Sequence, residues 1–556
     1  MRPLIQEIAT LHTPESLVEQ LAGLSRRGAA EADERGVVLL RSAGFDSSQA
    51  RYSFVTARPF LTFRSSGSRC EIETPPDGSA ERRAEFIPLS PRGREAKRTG
   101  VRAPIQTQFG DPWHVLDALM ARYELLDEID LPFPLGGCFG YWGYDLKNFV
   151  EPKLSRRAVN DLELPDCHVG FYDSLVVFDH RVGKTCIVST GLGADGARSE
   201  ERARAQAEFW TSFLAGDPTR TLTPALSLSE RERENPRQSL GETRAARNFS
   251  ARTSLFPLPR GGGEGQGEGA FSNLTRAEFI ARVERAQRYI RSGDIYQVNL
   301  SQRLAVPCSF SGWELFERLL DVSPAPFAAY FDCGDFQIAS SSPEQFLRLS
   351  GSHITTRPIK GTRPRSPDAT RDAQLAYELQ TSPKELAELV MITDLLRNDL
   401  GKVCEFGSVQ VPELAKLERF AQVQHLVSTV EGRLRKEVTH FDALAACFPG
   451  GSITGAPKFR AMEIIDELEP IARGPYTGCH GYLGFNRESQ LSISIRTAIR
   501  QADAAYFHAG AGIVADSVAA AEYDETLAKA GGFLAALQES AVAAPRESAT
   551  FSPQTA

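Results

Sequence analysis

The sequence predicts an α+β fold, and two observations predict it. Residues 1–215 alternate short apolar runs with turn signals, for example at 36–42, 51–55 and 171–178, which is typical of strands in a sheet-rich region. From 271 to about 540, strand and helix patterns mix without the steady strand–helix–strand order of a parallel sheet. These patterns favour α+β over a doubly wound parallel architecture.

Helices are predicted where a proline or a capping pattern marks their start. Proline stands just inside the expected starts of two helices, over 14–26 and 112–126. Thr275 and Glu278 form a capping-box pattern that opens a third helix, and Gly293 closes it. The next run, 295–304, alternates apolar and polar residues at period two and therefore predicts a half-exposed strand.

Length, charge and cysteine spacing exclude several classes of protein. The 556 residues are enough for two to four domains and an ample core. The 63 Lys and Arg against 71 Asp and Glu give a net charge of −8, so no nucleic-acid partner is expected. No signal pattern or membrane-length apolar run is visible, which predicts a cytoplasmic protein without a membrane partner. The nine cysteines are scattered singly and are expected to be reduced core thiols.

Composition divides the chain into four parts. Residues 1–216 form the expected N-terminal domain, and 271–540 form a second domain in which the motifs are densest. Between them, 217–270 lacks apolar periodicity and contains a glycine-rich run at 261–269, so it is expected to be a disordered linker or insertion. Residues 541–556 are expected to be a disordered tail.

Two predicted helices each carry a pair of glutamates three residues apart. Glu385 and Glu388 lie within 382–399, and Glu522 and Glu525 lie within 519–529. One carboxylate from each helix would suffice for Mg²⁺, which usually takes one or two carboxylates in addition to water and an anionic substrate group. The alternatives are a helix cap for Glu385 and a solvated helix face for the others.

Residues 448–458, here called the glycine loop, are expected to bind an anion. The loop runs through Pro457 into a helix that is expected from Arg460 to Leu468. Unpaired backbone N–H groups and the positive end of the helix dipole would attract a carboxylate or a phosphate, with Lys458 beside them. The spacing fits neither a Walker A nor a dinucleotide motif, and an ordinary turn remains an alternative.

Lys360 and Glu344 are candidates for the chemical step. Lys360 is flanked by Arg357, Arg363 and Arg365. Neighbouring cations and partial burial make a lysine amine easier to deprotonate, and a free amine is a nucleophile. The alternative is a simple anion-binding patch. Glu344, in the polar stretch 342–345, is either an acid catalyst or a solvated loop carboxylate.

Three further residues are candidates for a functional role on their own. His425, in an apolar strand, is either a proton carrier or a core histidine. Arg496 falls on the polar face of the predicted strand 492–497 and needs an anionic partner if a ligand covers that face. Cys479 faintly imitates a glutaminase nucleophile turn but has no recognisable triad partner, so it is interpreted as structural.

Several long motifs in order resemble the chorismate-utilising enzymes, the family of the anthranilate synthase and aminodeoxychorismate synthase large subunits. The motifs are Ser292-Gly-Asp-Ile-Tyr-Gln-Val-Asn-Leu and those at 394–401, 425–428, 450–458, 509–517 and 522–526. The resemblance covers nearly the whole chain outside 217–270. It implies an anthranilate synthase component I-like β-sandwich core flanked by helices, with 271–540 as the chorismate-binding catalytic domain.

One position separates the branches of the family. Anthranilate synthases resemble Pro-Ile-Ala-Gly-Thr, whereas aminodeoxychorismate synthases resemble Pro-Ile-Lys-Gly-Thr, and this chain has Lys360 within the second pattern. The resemblance therefore implies that chorismate and ammonia are converted to 4-amino-4-deoxychorismate on the para-aminobenzoate and folate branch. Alternatives are an anthranilate synthase component I, an isochorismate- or salicylate-forming enzyme, and a non-catalytic regulator that binds chorismate or tryptophan.

The resemblance also assigns residues. It implies Mg²⁺ on Glu388 and Glu525, helped by Glu385 and Glu522. Lys360 would be the nucleophile, Glu344 the acid that protonates the leaving group, and His425 a helper in proton handling. The substrate would be held by Thr362, Ser452, Gly455, Lys458, Tyr476 or Tyr482, Arg496 and Gly512.

Two partners follow from the same resemblance. Ammonia would come from a separate glutamine amidotransferase subunit, because no glutaminase triad is recognisable in the sequence. Ser42, Arg51, Tyr52 and Ser53 fall where family members carry a tryptophan pocket. Arg41 departs from the Leu-Leu-Glu-Ser pattern of feedback-regulated members, so tryptophan is expected to be structural if it binds.

Overall fold

The structure, a computed structural model, describes residues 2–25, 36–42, 50–75, 105–126, 131–215, 256–257, 269–420 and 423–538. In these ranges the chain forms two large antiparallel sheets with helices packed around them. This arrangement confirms the expected α+β class and the sandwich core flanked by helices.

The helices of the described residues share amphipathic character, and most begin with a side-chain cap. They are α1 (Pro14–Ser25), α2 (Pro112–Ala121), α3 (Lys147–Val150), α4 (Glu200–Leu214), α5 (Arg276–Arg291), α6 (Gly312–Val322), α7 (Ala369–Gln380), α8 (Pro383–Gly401), α9 (His440–Cys447), α10 (Lys458–Leu468) and α11 (Ala519–Leu537). The predicted proline starts of α1 and α2 and the Thr275–Glu278 capping box of α5 are confirmed. The second helix ends at Ala121 rather than at 126.

The strands supply both sheets. In chain order they are β1 (Leu4–Ile8), β2 (Val38–Arg41), β3 (Tyr52–Thr56), β4 (Leu61–Ser66), β5 (Arg69–Glu73), β6 (Ile105–Phe109), β7 (Gly137–Trp142), β8 (Cys167–Tyr172), β9 (Ser174–Asp179), β10 (Lys184–Ser189), β11 (Phe256–Pro257), β12 (Phe271–Ser272), β13 (Gln297–Pro307), β14 (Phe327–Asp332), β15 (Phe336–Ser342), β16 (Gln345–Ser350), β17 (His353–Thr356), β18 (Ile359–Pro364), β19 (Gln410–Arg419), β20 (Val423–Arg433), β21 (Gly455–Ala456), β22 (Cys479–Gly484), β23 (Glu488–Ile493), β24 (Thr497–Gln501) and β25 (Ala504–Ile513).

Both sheets contain strands from both halves of the chain. The first sheet has the order β1-β10-β9-β3-β2-β14-β15-β24-β25-β13-β12-β11, with β21 also paired to β13. The second has the order β18-β20-β17-β16-β23-β22-β7-β8-β4-β5-β6, with β19 also paired to β20. Strand β2 pairs with β14, and β7 pairs with β22. The expected domains 1–216 and 271–540 therefore share one sandwich.

The largest apolar cluster lies between the two sheets, and a second lies on the outer face of the first sheet. Alternation along a strand decides which cluster a side chain joins: in β2, Val38 belongs to the inner cluster and Leu39 to the outer one. The outer cluster is closed by α1, α4, α6 and α11. A third cluster packs α5 and α10 against β13 and β25.

Two strand predictions were wrong in informative ways. The run 171–178 is not one strand, because β8 belongs to the second sheet and β9 to the first, and the chain crosses between the sheets at Asp173. The strand predicted over 295–304 is observed as β13, but it is almost wholly buried rather than half exposed. Helices cover its apolar face, which carries Val298, Leu300 and Leu304, and hydrogen-bonded partners bury its polar face, where Ser301 bonds Glu469 and Arg303 bonds Asp161.

Part of the predicted disordered segment is ordered. Phe256 and Pro257 form β11, which pairs with β12 at the edge of the first sheet, and Ala270 is buried in the outer cluster. The prediction is wrong at these positions because a backbone ladder, which composition does not encode, orders them. The rest of 217–270, apart from Gly269, lies outside the described residues, as does the predicted tail 541–556.

All nine cysteines are free, and all but the half-buried Cys186 are buried, which confirms the prediction of core thiols. Cys479 is fully buried in β22, and burial raises its pKa well above the ordinary value. A thiol in this environment is a poor nucleophile. In the parts of the chain that the structure describes, no helix is both long and apolar enough to cross a membrane.

Candidate active site

Strand β13 brings the glycine loop and the end of β25 together. Its first residues pair with β21 of the glycine loop on one side and with the end of β25 on the other. Gly455 has φ +147°, and a Cβ there would lie 2.1 Å from the Gln297 carbonyl oxygen. A Cβ on Gly512 would lie 2.7 Å from the Gln297 side-chain nitrogen. Both predicted substrate-binding glycines are therefore required for close approach at one place.

Two hydrogen bonds fix the glycine loop, one from the Thr454 hydroxyl within the loop and one from the backbone of β13. Thr454 Oγ1 donates to the Gly450 carbonyl at 3.0 Å, and the Asn299 N–H donates to the Thr454 carbonyl at 2.8 Å. The helix that follows begins at Lys458, two residues earlier than expected, with Pro457 at its N-cap. The predicted anion-binding loop is thus a fixed turn that leads into a helix N-terminus.

Lys458, which was predicted to bind the substrate, bonds other groups of the protein. Its ammonium pairs with the buried carboxylate of Asp399 near the end of α8 and donates to the Cys447 carbonyl at 3.0 Å. Lys402 pairs with the same carboxylate at 3.0 Å. The charge of Lys458 is therefore balanced within the protein, and its role as a substrate ligand stays a prediction.

Glu344, Ser452 and Lys360 form the first cluster of the site. Glu344 lies in the turn between β15 and β16 and is 6% exposed. Its carboxylate accepts hydrogen bonds from Ser452 and from the Ile359 backbone, and it interacts electrostatically with the charge of Lys360. Burial raises the pKa of Glu344 to about 7, because the Ser452 hydrogen bond and the Lys360 charge oppose desolvation only in part. The solvated-carboxylate alternative is thereby removed, since Glu344 is buried.

Lys360 directly precedes a bulge in β18. The register of β18 against β20 shifts between Lys360 and Thr362, with Gly361 at φ +66° between them. A Cβ on Gly361 would meet Leu379 at 2.5 Å and the Glu385 carboxylate at 3.1 Å. The glycine of the Pro-Ile-Lys-Gly-Thr segment is therefore required both for its backbone conformation and for space beside α8.

His425 lies opposite Thr362 and close to Arg496. Its Nδ1 is 3.0 Å from Thr362 Oγ1 and 3.2 Å from the Gly361 carbonyl oxygen. Burial lowers the pKa of His425, and the charge of Arg496 lowers it further. The imidazole is thus neutral near pH 7, and a proton on Nδ1 that bonds the Gly361 carbonyl leaves Nε2 unprotonated.

Arg496 carries a charge that the described residues do not balance. It stands at φ +50° between β23 and β24 and is half-buried, and desolvation lowers its pKa. Among the described ranges no carboxylate forms an ion pair with it. A desolvated guanidinium without an anion is costly, so this position fits an anionic ligand, as the sequence predicted.

The four predicted metal ligands lie on α8 and α11 as expected. Glu388 is half-buried; burial raises its pKa, the charges of Glu385 and Glu525 add to the rise, and Lys360 opposes it. Burial also raises the pKa of Glu522, whose carboxylate accepts a hydrogen bond from Ser517. The two helices thus bring Glu388 and Glu525 into electrostatic contact.

Two of the four glutamates have cationic partners. Glu525 pairs with Lys529 at 2.7 Å, and Lys529 also donates to the Gly510 carbonyl at 2.9 Å. Glu385 pairs with Arg363 at 3.5 Å, and its backbone N–H is capped by Ser382. Only half of the predicted capping box is present, because the Glu385 side chain turns toward Arg363.

These residues fit Mg²⁺ by their chemistry. Carboxylate oxygens are hard ligands, and the mutual repulsion of Glu388 and Glu525 is what a divalent cation would relieve. In the described ranges no cluster of three or more acidic, histidine or cysteine side chains is arranged to hold a metal. A site of one or two carboxylates completed by water and substrate needs no such cluster, so the Mg²⁺ assignment stays a prediction.

The two predicted tyrosines lie in different places. Tyr476 stacks on His508 with ring centroids 5.0 Å apart, and burial raises its pKa to about 12 against the charge of Arg473. Its hydroxyl would be 2.7 Å from a Cβ on Gly510, which places it beside β25. Tyr482 instead packs between Phe54 and Phe139 in the inter-sheet core. Of the two tyrosines, only Tyr476 lies beside β25, the strand that contains Gly510 and Gly512.

The residues of the predicted tryptophan pocket are bonded to one another and to β9. Arg51 lies over the Tyr52 ring and makes a bidentate ion pair with Asp179, the shortest contact being 2.6 Å. Ser53 Oγ accepts from the Ser42 N–H at 3.0 Å and lies 2.7 Å from His180 Nε2. Arg41, which differs from the family pattern in this region, forms an ion pair with Glu15. Tryptophan binding stays a prediction.

Three functional candidates escaped the sequence reasoning. Gln297 is 1% exposed, its side-chain oxygen has no hydrogen-bond partner among the described residues, and it separates Gly455 from Gly512. Asp399 neutralises Lys458, and Arg473 is a fully buried guanidinium below the glycine loop. The sequence signal that could have identified Gln297 is its position as a polar residue inside the motif 292–300. Nothing local marked Arg473.

The buried acid, the unpaired guanidinium and the fixed glycine loop are arranged as a polar site at one end of the sandwich. The chorismate binding enzyme family matches residues 91–535, and the chain belongs to this family. It is similar to an anthranilate synthase component 1 from Acetivibrio thermocellus, with 35% identity over 501 residues that cover 90% of each chain. It is also similar to an aminodeoxychorismate synthase component 1 from Salmonella typhimurium, with 39% identity over 452 residues, 81% of this chain and 87% of that one.

Solved structures agree with the fold. Anthranilate synthase component I from Streptococcus pneumoniae superposes with a TM-score of 0.65 at 28% identity, covering 95% of this chain and 99% of that one. The menaquinone-specific isochorismate synthase from Escherichia coli has a TM-score of 0.56 at 16% identity, which is a likeness of fold alone. The chain is therefore a chorismate-utilising enzyme, and the two sequence relatives given above are named for two different reactions.

Arg496→Met tests the unbalanced guanidinium. Because Met keeps the length of the side chain and removes a desolvated charge, the free energy of unfolding should be unchanged or should rise by up to about 2 kcal/mol. The loss of a buried ion pair with substrate should lower kcat/KM for chorismate by about a hundredfold. Urea unfolding and steady-state kinetics measure the two effects. Marked destabilisation with unchanged kcat/KM would show that Arg496 serves the fold instead.

Proposed function

We propose that this chorismate-utilising enzyme is component I of aminodeoxychorismate synthase, a transferase that converts chorismate and ammonia to 4-amino-4-deoxychorismate. The observation that carries the proposal is the position of Lys360, whose amine lies within the electrostatic reach of both Glu344 and Glu388. A lysine at this point of the family pattern distinguishes the aminodeoxychorismate branch in the resemblance described above. A nucleophilic amine also needs an acid beside it, and Glu344 meets that need.

Substrate binding is assigned first to Arg496, which forms no ion pair with a carboxylate among the described residues. Arg496 would hold the enolpyruvyl carboxylate, with the Gly512 N–H and Tyr476 alongside. The ring carboxylate would lie toward Glu388 and Glu525, where Mg²⁺ would supply the positive charge that lets carboxylates face one another. Ser452 is assigned mainly to Glu344, to which it donates, rather than to the substrate.

Lys360 and Glu344 exchange one proton in this proposal. The free amine of Lys360 attacks ring C2, the ring double bonds shift, and the C4 hydroxyl leaves as water with the proton that Glu344 supplies. The nitrogen of the adduct then gives up one proton, which restores Glu344. Ammonia next attacks C4, the double bonds shift back and the C2–N bond breaks. The nitrogen from ammonia loses one proton and the Lys360 nitrogen gains one, with Glu344 as the carrier, so the free amine and Glu344 are both regenerated. His425, neutral and fixed through Nδ1, assists in proton handling at Nε2.

The raised pKa of Glu344 supports this assignment. A carboxyl with a pKa of about 7 is protonated in a large fraction of molecules at neutral pH, so it can donate to a poor leaving group. Its two hydrogen-bond donors, Ser452 and the Ile359 backbone, keep the carboxylate form accessible as well. An acid that must give up and regain a proton in each turnover needs both forms.

We also propose that ammonia comes from a separate glutamine amidotransferase subunit. The two relatives described above are each named as component 1, which implies a further component in those enzymes. The fully buried Cys479 is unsuited to act as a glutaminase nucleophile.

The second candidate function is anthranilate synthase component I, because relatives with that name match at similar identity.

Product identification tests the proposed reaction. The purified chain is given chorismate, Mg²⁺ and ammonium, and the products are analysed by mass spectrometry with and without an added aminodeoxychorismate lyase. We expect aminodeoxychorismate, which becomes para-aminobenzoate only when lyase is present. Lys360→Ala should abolish or divert this product without loss of the fold. Anthranilate and pyruvate from the wild-type chain would establish the second candidate instead.

The pH dependence tests the role of Glu344. Because its pKa is raised to about 7, the protonated acid is lost as pH rises through that value, and kcat should fall on the alkaline side with an apparent pKa near 7. Glu344→Gln should lower kcat by about 10²- to 10⁴-fold and remove this alkaline limb. Persistence of the same limb in the Gln variant would assign it to another group.

A further inference from the structure

Arg473 is the most completely bonded buried charge in the described part of the chain. It lies in the turn after α10 and is 2% exposed. Its Nε and Nη2 donate to the two oxygens of Glu469, each at 2.7 Å. Burial would lower the pKa of Arg473, but the charge of Glu469 and the hydrogen bonds to it outweigh burial and raise the pKa. The guanidinium is therefore charged at every accessible pH.

The remaining N–H groups of Arg473 bond three separate segments. Nη1 donates to the Ile453 carbonyl at 3.2 Å and to Thr477 Oγ1 at 3.1 Å, and Nη2 donates to the Asn299 carbonyl at 2.8 Å. All five donors of the guanidinium are thereby used. Glu469 extends the network, because its Oε1 also accepts from the Ser301 N–H at 2.8 Å and the Ser301 hydroxyl at 3.0 Å.

Each bonded segment lies next to a residue predicted to bind the substrate, either along the chain or across a strand pair. Ile453 lies between Ser452 and Gly455 in the glycine loop, and Thr477 follows Tyr476 and bonds its carbonyl at 2.6 Å. Asn299 is directly opposite Gly512 in the pairing of β13 with β25. The Thr477 N–H also donates to the Ser494 carbonyl, two residues before Arg496, at 2.9 Å.

We propose that Arg473 is the positioning residue of the substrate pocket: out of reach of the substrate, its guanidinium fixes the glycine loop, β13 and the Tyr476 turn in one frame. The inference deepens the proposed function, because it rests on the substrate location given there. The planar fork of arginine suits this role, since its five donors point in fixed directions.

Stability alone does not account for this arrangement. A buried ion pair contributes little net stability, because desolvation of the two charges offsets their attraction. Three backbone or side-chain acceptors from distant parts of the sequence converge on Arg473 in addition to its ion-pair partner. The Tyr144 ring packs on the guanidinium at 4.7 Å and completes its enclosure. The gain is a single geometry in which the Tyr476 turn is tied to β13 and to the glycine loop, which are already paired with each other.

The test separates pocket geometry from folding. In the double variant Arg473→Met/Glu469→Gln both buried charges are removed together, and the amide oxygen of Gln still accepts from Ser301, so the fold should persist. We expect the dissociation constant of chorismate, measured by calorimetry with Mg²⁺, to rise about ten- to a hundredfold, with a larger change in KM than in kcat. Thr477→Val, which keeps both charges and removes one acceptor, should weaken binding in the same direction.

The matched control is a second buried bidentate pair, formed by Arg303 of β13 and Asp161. Their side chains are 3% and 6% exposed, and the Arg303 guanidinium bonds Asp161 rather than the glycine loop or the Tyr476 turn. Arg303→Met/Asp161→Asn should leave the chorismate dissociation constant within about twofold of wild type. A comparable loss of affinity in this control would mean that any buried charge pair has the same effect, and the proposal would be wrong.

The remaining outcomes are also decisive. Wild-type affinity in the folded Arg473→Met/Glu469→Gln variant would overturn the proposal. If that variant does not fold, wild-type affinity in Thr477→Val would overturn it. Because binding is measured without turnover, a wild-type chain that binds chorismate but makes another product refutes the proposed reaction and leaves the positioning role standing.

Discussion

The site depends on charge that is buried before any substrate arrives. Arg496 is desolvated without a carboxylate partner among the described residues, and Glu344 is buried with a pKa of about 7. An unpaired, desolvated guanidinium is unfavourable, and an anionic ligand would relieve it. A buried acid with a pKa near 7 is able to give a proton to a leaving group. The sandwich makes this possible because paired strands hold the surrounding backbone, so the charged groups do not reorganise toward water.

The two halves of the site are linked through Lys360. One neighbour, Glu344, is bonded by Ser452 of the glycine loop, and the other, Glu388, faces Glu525 on α11. A single amine is thereby placed between a proton donor and the carboxylates proposed to hold Mg²⁺. The Gly361 bulge gives β18 the change of register from which Thr362 reaches His425. Lys360 and the contact of Thr362 with His425 thus lie on either side of one bulge in β18.

Much of this could be predicted from local sequence, because motifs report short-range geometry. The capping box at Thr275, the proline starts of α1 and α2 and the glutamate pairs on α8 and α11 all follow from spacing along one helix. Long-range pairing could not be predicted in this way. The bond of Lys458 to Asp399 spans 59 residues, and the burial of β13 depends on helices that pack against it from elsewhere. The crossing at Asp173 and the core position of Tyr482 are likewise properties of the two sheets together.

The most direct test of the account is the intact mass of the protein during reaction. The chain is incubated with chorismate and Mg²⁺ without ammonium, quenched in acid and digested to locate any modification. The account predicts a mass increase of one chorismate less one water, carried by Lys360 and released when ammonium is added. A chain that forms the aminated product while Lys360 stays unmodified, or an adduct on another side chain, would contradict it.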